Sequence, residues 1–334
     1  MDRPVVDPRF PATLRRLRTE RGLSLRDLAA KVHRSKSHLH EIETGCKPPH
    51  PDMARDLDAA LDANGQLAGL VHEANGILTP DDVDRLMYVA GQPRRVDTAA
   101  VDALAVVLAH QRRLEDVLGA APMFGPVLAQ LGAVEALVTD ARGPVRPALV
   151  DVAAQWAQYV GWLHIAMRRY GDAGTWLRRS LEWAAEVGDD DMTATVLSYR
   201  GHVAWLLGHP GPTIGLSQAA RRYPGIYPGQ LAYDVLQEAR GHAVLGDANE
   251  VDRLVGESDE LTERAVAELP GAPPWHYYRS PAFWDLERGR ALARLPGRQG
   301  RAAELLAAGL DALPVEQRAA DWVAAYRRDL AGCS

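Results

Sequence analysis

The stretch S-L-R-D-L-A-A-K-V-H-R-S-K-S-H-L-H-E-I-E-T-G, residues 24–45, decides the reading of the N-terminal part of the chain. Apolar residues recur in it at helical spacing in two short runs, Leu25, Leu28, Ala29 and Val32, then Leu39 and Ile42. Ser24 stands where a helix N-cap belongs, with Asp27 three residues on to close a capping box. The residues Val32-His33-Arg34-Ser35 break the pattern, and Ser35 is a second good N-cap. Two helices this short and this tightly joined must cross steeply. The small Ala29 lets the second approach the first.

That arrangement is a helix-turn-helix, whose second helix offers its N-terminal side chains to a DNA major groove. Over roughly residues 10–72 the chain resembles the lambda repressor/Cro-like (XRE-type) DNA-binding family. The resemblance rests on L-R-R-L-R-T-E-R-G-L-S leading in, L-A-A-K-V in the first helix, S-K-S-H-L-H-E-I-E-T-G in the second, and P-P-H-P opening a fourth. Two positions depart from the family: His33 replaces the usual turn glycine and Arg34 the usual apolar residue after it. Histidine tolerates a left-handed backbone better than most residues, so the turn survives. The resemblance also implies an ion pair between Glu43 and Arg18 that braces the first helix against the third.

On the recognition helix Lys36, Ser37 and His40 lie opposite Leu39 and Ile42 and are the candidates for DNA contact. Lys donates to guanine O6 and N7, Ser is permissive, and His40 donates or makes apolar contact. Ser35 and the backbone N–H groups beside it suit a phosphate. Arg26, Thr44 and Lys47 are candidate backbone clamps. His33, His38 and His40 do not form a metal-ligand set, because 38 and 40 face different ways and no Cys or carboxylate completes it.

Charge supports the same reading. From Arg9 to Lys47 there are ten Lys and Arg against four Asp and Glu, leaving 28 against 40 elsewhere in a chain of net charge −6. A basic module on an acidic body suits contact with phosphates at one end only. The two cysteines, Cys46 and Cys333, are far apart and lack metal spacing, which fits a reduced, cytoplasmic protein. No N-terminal apolar run resembles a signal peptide, and no uninterrupted apolar stretch is read as spanning a membrane.

The 334 residues leave room for a second domain. Pro11 to Arg21 reads as helix 1, Met53, Leu57 and Leu61 mark helix 4, and Gly65 to Glu73 is expected as a fifth. Residues 1–73 thus form the DNA-binding domain, 74–98 a hinge with one short helix, and 99–334 a helical body. In that body Gly161, Gly201 and Gly241 are spaced 40 apart and Gly289 follows 48 later. A small residue in mid-helix lets a paired helix pack close, which points to stacked helical hairpins. The pattern resembles tetratricopeptide (TPR) repeats, with Ala173 at the helix-B alanine, although the spacing exceeds 34. The expected fold is all-α: a five-helix DNA-binding domain followed by a TPR-like α-solenoid.

Aromatics are only 6% of the chain yet cluster in W-A-Q-Y-V-G-W-L-H (156–164) and P-P-W-H-Y-Y-R-S-P-A-F-W (273–284). Most such rings suit a core between hairpins. In a TPR-like helix, however, the residue after the small glycine faces the concave surface, and those residues are Trp162, His202, His242 and Arg290. With Trp275, Tyr277 and Tyr278 they suit a groove for a polar small molecule or a peptide. No G-x-S-x-G, H-E-x-x-H, P-loop or G-x-G-x-x-G occurs, and no cofactor is implied. The expected function is a sequence-specific transcriptional regulator, a homodimer on double-stranded DNA whose body senses an effector. A DNA-anchored interaction scaffold is the alternative, and a fused enzyme a remote third. A closed pocket favours the sensor, an open groove the scaffold.

Overall fold

The computed structural model describes residues 5–6, 10–45, 47, 49, 51–61, 63, 66–67, 71–72 and 78–333. The chain divides into two compact units, residues 1–77 and 78–334.

In the first unit α1 (Phe10–Glu20), α2 (Leu25–Lys31), α3 (Lys36–Glu43) and α4 (Pro51–Ala60) pack around one core. Phe10, Leu14, Leu28, Leu39, Ile42 and Leu57 have no exposed surface, so each helix contributes the apolar face its spacing marks out. Both expected caps form. Ser24 and Asp27 make a full capping box at α2, and the Ser35 hydroxyl accepts the His38 N–H at 3.2 Å at α3. The expected fifth helix does not form at its end. Val71–His72 is a short strand, β2, paired antiparallel with β1 (Val5–Val6). β-Branched valines suit such a ladder better than a helix end. Residues 68–70 and 73, Cys46 and the Asn75-Gly76 break lie outside the described residues.

The second unit begins earlier than the sequence suggests. Thr79 and Asp82 cap α5 (Pro80–Gly91), with Pro80 at its first turn, and α5 packs on α6 (Thr98–Leu118) and α7 (Ala120–Asp140). Val89 and Val96, expected in the hinge, are buried in this unit's core. Helix α7 is by length and composition apolar enough to cross a membrane, contrary to the sequence reading. One face of it packs on the unit, with Val127, Leu131 and Val134 wholly buried, while only a third of its apolar window is buried.

Four hairpins follow: α8 (Arg146–Ala166) with α9 (Tyr170–Val187), α10 (Asp190–Leu206) with α11 (Pro210–Ala220), α12 (Pro228–Leu245) with α13 (Ala248–Glu268), and α14 (Pro281–Leu292) with α15 (Gln299–Ala312). The first helices of successive pairs touch in series, α8 to α10 to α12 to α14. The repeated glycines sit at close approaches. A Cβ on Gly161 would meet Leu177 of α9 at 2.9 Å, and one on Gly289 would meet Leu306 of α15 at 2.7 Å. Gly241 differs, for its near neighbour is Ile214 of α11, in the preceding hairpin. Asp189, in the acidic run 189–191, caps α10 by accepting the Met192 N–H at 2.9 Å.

The stack closes on itself. Asp321, just before α16 (Val323–Ala331), accepts the Ala120 N–H of α7 at 3.0 Å, and Trp322 donates to Asp116 of α6 at 3.2 Å. The last residues of the unit therefore meet its early helices, and the concave face of the hairpins becomes an interior.

Candidate functional site

In the first unit the turn between α2 and α3 is carried by His33, whose φ of 52° is left-handed. The chain reverses there without glycine, and the Arg34 N–H reaches back to the Ala29 carbonyl at 2.9 Å. Leu39 and Ile42 anchor α3 in the core, which turns Lys36, Ser37 and His40 to solvent together. Arg26, Ser35, Thr44 and Lys47 are exposed as well. Thr44 Oγ1 donates to the His40 carbonyl at 2.7 Å, so its proton is already used within the helix end. The exposed Arg34, noted in the sequence only as a departure, adds a cation beside the α3 N-terminus.

Glu43 is braced as the resemblance implies. Arg18 Nε and Nη2 each lie 2.7 Å from a Glu43 oxygen, and Arg18 Nη1 donates to the Leu23 carbonyl at 2.8 Å. The pair is bidentate and largely shielded, with the Glu43 side chain only 7% exposed. Its hydrogen bond to Glu43 raises the Arg18 guanidinium above its ordinary value. The acid therefore fixes α3 on α1 and is unavailable to repel a phosphate.

Residues 9–70 match the family described as "Helix-turn-helix domain". They are a helix-turn-helix DNA-binding domain. Neither the curated proteins nor the solved structures contain a match to the chain. The helix-turn-helix domain makes the protein a DNA-binding regulator.

The body of this regulator holds a partly open cavity of about 200 Å³. Its floor is the inner face of α8, α10, α12 and α14, and its cover comes from α6, the 275–279 segment and the C-terminal residues from Trp322 on. Of the seven residues expected to line such a site, six do: Trp162, His202, Arg290, Trp275, Tyr277 and Tyr278. The exception is His242, whose Nδ1 lies 3.7 Å from Asp247 Oδ2 in the turn after α12. On α12 the residue that lines the cavity is Tyr233, which takes the place expected for His242.

Each lining group is held by its neighbours. Trp162 packs edge-on to Tyr199 with ring centres 5.9 Å apart and donates Nε1–H to Glu115 Oε2 at 3.2 Å. The Tyr277 hydroxyl donates to Asp116 Oδ2 at 2.7 Å, and Trp275 Nε1 donates to Thr195 Oγ1 at 3.0 Å, which pins the 275–279 segment to α6 and α10. Tyr233 Oη and His202 Nδ1 are 3.3 Å apart. Burial, with Arg240 and Arg290 nearby, holds His202 well below its ordinary value, so its ring is uncharged at neutral pH. Arg290 reaches Asp329 at 2.7 Å and lies 3.5 Å over the Tyr326 ring.

Several other lining groups lie outside any periodic signal in the sequence. Arg112, Glu115 and Asp116 come from α6, outside the repeat, while Arg279, Trp322 and Tyr326 come from the covering segment and the C-terminus. Burial pushes the Glu115 carboxyl up to about 8 and raises Asp116, the latter opposed by hydrogen bonds from Tyr277 and Trp322. Twelve of the chain's 21 aromatic residues line this one cavity, too great a concentration for packing between hairpins alone.

Proposed function

We propose that the protein is a sequence-specific transcriptional regulator of the XRE type that binds its operator as a homodimer and responds to a small molecule held in the cavity of its TPR-like body. The observation that carries the effector reading is the closure of the hairpin stack. Asp321 and Trp322 tie its end to α6 and α7 and leave an aromatic pocket walled on several sides, partly open, in place of a fully open groove. An interaction scaffold would keep its concave face open to a peptide, so closure favours the sensor over the scaffold. One recognition helix reads only a few base pairs, too little to single out a site in a genome, and two copies supply the rest.

The test starts from genome-wide mapping of bound DNA with the full chain. Footprints should show two symmetric half-sites about 34–36 Å apart or a multiple of that. Operator affinity is then measured with and without the small-molecule fraction of a cell extract, for wild type and for Ala325→Trp, which fills the cavity from its lining. Wild type should respond and the filled variant should not. A wild type indifferent to the extract removes the effector, and an asymmetric footprint from a monomer removes the dimer.

A further inference from the structure

Four buried arginines surround the cavity, and they fall into two kinds. Arg240 and Arg290 are matched by carboxylates. Glu287 lies 3.4 Å from the first and 3.7 Å from the second, and Asp329 completes the set. Arg112 and Arg279 have no such partner. They are 4% and 2% exposed, and among the described residues no carboxylate oxygen lies within ion-pair distance of either. Arg112 donates only to the Gln155 carbonyl at 3.3 Å and rests over the Tyr159 ring. Arg279 donates to the Gly229 carbonyl at 2.5 Å and to Gln230 Oε1 at 3.3 Å, and its Nε has no partner.

A buried charge served only by neutral acceptors is costly, and a counter-ion removes much of that cost. The nearby carboxyls do not supply it: Asp234 on α12 is a charge neighbour of Arg279 but makes no ion pair with it, accepts from Gln230, and is pushed up to about 7 by burial, and those on α6 are otherwise engaged. Asp116 already accepts from Tyr277 and Trp322, and Glu115 takes the Trp162 N–H and stays largely protonated at neutral pH, because burial pushes it up to about 8. Arg112 and Arg279 both line the chamber, together with Tyr199 and Tyr278.

We propose that the cavity takes a small, flat organic acid, with its anionic group between Arg112 and Arg279 and its ring system among Trp162, Tyr199, Tyr278 and Phe283. The chamber equals roughly seven waters of liquid, room for about two fused rings. The planar guanidiniums suit a carboxylate or comparable oxyanion, and the aromatic walls suit the ring. An ammonium ligand would instead leave both arginines uncompensated and add a third charge of the same sign.

This inference rests on the reading of the cavity as an effector site, and three probes of one shape separate the two. Calorimetric titration of the full chain would use 2-naphthoate, 2-naphthamide and 2-(aminomethyl)naphthalene. 2-Naphthoate should bind at least tenfold more tightly than the amide, and the amine most weakly. Arg112→Gln should lower 2-naphthoate affinity at least tenfold and leave the amide unchanged. Arg279→Gln should do the same where it folds, since Arg279 also supports Gly229. The wild-type ranking needs no variant. Amide or amine binding as tightly as 2-naphthoate overturns the acid while the cavity remains a ligand site. Failure of all three to bind at millimolar concentration overturns both.

Discussion

Replacing Glu115 with Gln should change the pH dependence of stability in a direction fixed by burial. Glu115 is 4% exposed, one of its oxygens has no partner, and burial moves its carboxyl from 4.5 up to about 8. Below pH 4.5 it is neutral whether the chain is folded or not. Above that the unfolded chain releases the proton while the folded protein keeps it until about pH 8. Stability therefore falls as pH rises through this window, by at most about 1.4 kcal/mol per pH unit. Buried His202 and His276 act oppositely, but only below their ordinary value of 6.5, where the unfolded chain gains protons they do not. Asp234, pushed up to about 7, contributes the same sign as Glu115 up to about pH 7, but it is present in both proteins and drops out of the difference between them. Between pH 6.5 and 8 Glu115 alone should cost about 2 kcal/mol. Gln imitates the neutral acid and still accepts from Trp162, so Glu115→Gln should gain on wild type by that amount over the interval. All eight tryptophans lie in the second unit, so urea unfolding followed by tryptophan fluorescence reports on this unit alone. A stability difference between the two proteins that stays flat from pH 6.5 to 8 would falsify the assignment of Glu115 as a protonated, desolvated acid.

Three further outcomes follow from single contacts. Lys36→Ala should weaken operator binding by about 1–3 kcal/mol if Lys36 reads a base; gel-shift titrations on operator and random DNA that both stay unchanged would remove it from the DNA face. Arg18→Met leaves the shielded Glu43 carboxylate with only the exposed Arg15, 3.9 Å away, and should destabilise the first unit by about 3 kcal/mol, with much of the loss recovered by adding Glu43→Leu. Hydrogen exchange of α1 and α3 amides reads this, and unchanged protection would refute the bracing role. Gly256→Ala, in mid-α13 with open space around it, should stabilise by about 0.5–1 kcal/mol. Gly289→Ala should instead destabilise by about 1–2 kcal/mol, because its Cβ would meet Leu306 at 2.7 Å and backbone atoms at 3.1 Å. Equal thermal shifts for the two would mean that the close approach at Gly289 is not a constraint.

The helix-turn-helix was legible because everything that specifies it is local. The Ser24–Asp27 box, the Ser35 cap and the apolar spacing of Leu28, Ala29, Leu39 and Ile42 act within a few residues of one another. The expected fifth helix is cut short at its end for the opposite reason. Leu67, Leu70 and Val71 keep helical spacing, but Val71 pairs with Val6 near the other end of the domain, a contact no local pattern announces. Thr79-Pro80, expected as a break before the one short helix of the 74–98 segment, is the cap and first turn of α5, with Asp82 completing the capping box.

The cavity was half legible, and the glycine repeat explains which half. Where the glycine packs on its own hairpin partner, as Gly161 does on Leu177 and Gly289 on Leu306, the next residue turns inward, and Trp162 and Arg290 line the chamber. Gly241 packs on α11 of the preceding hairpin, which gives α12 a different rotation about its axis. Residues two apart on a helix point some 200° from each other. With Arg240 facing inward to Glu287, His242 has to face elsewhere and meets Asp247. Sequence spacing located the glycines but not the surface each one packs on. That surface sets the helix rotation, and the rotation selects the lining residue. The two unmatched arginines lie still further from any periodic signal. Arg112 enters from a helix before the repeats, Arg279 from the loop leading into the last hairpin, and only closure of the stack brings them to one chamber.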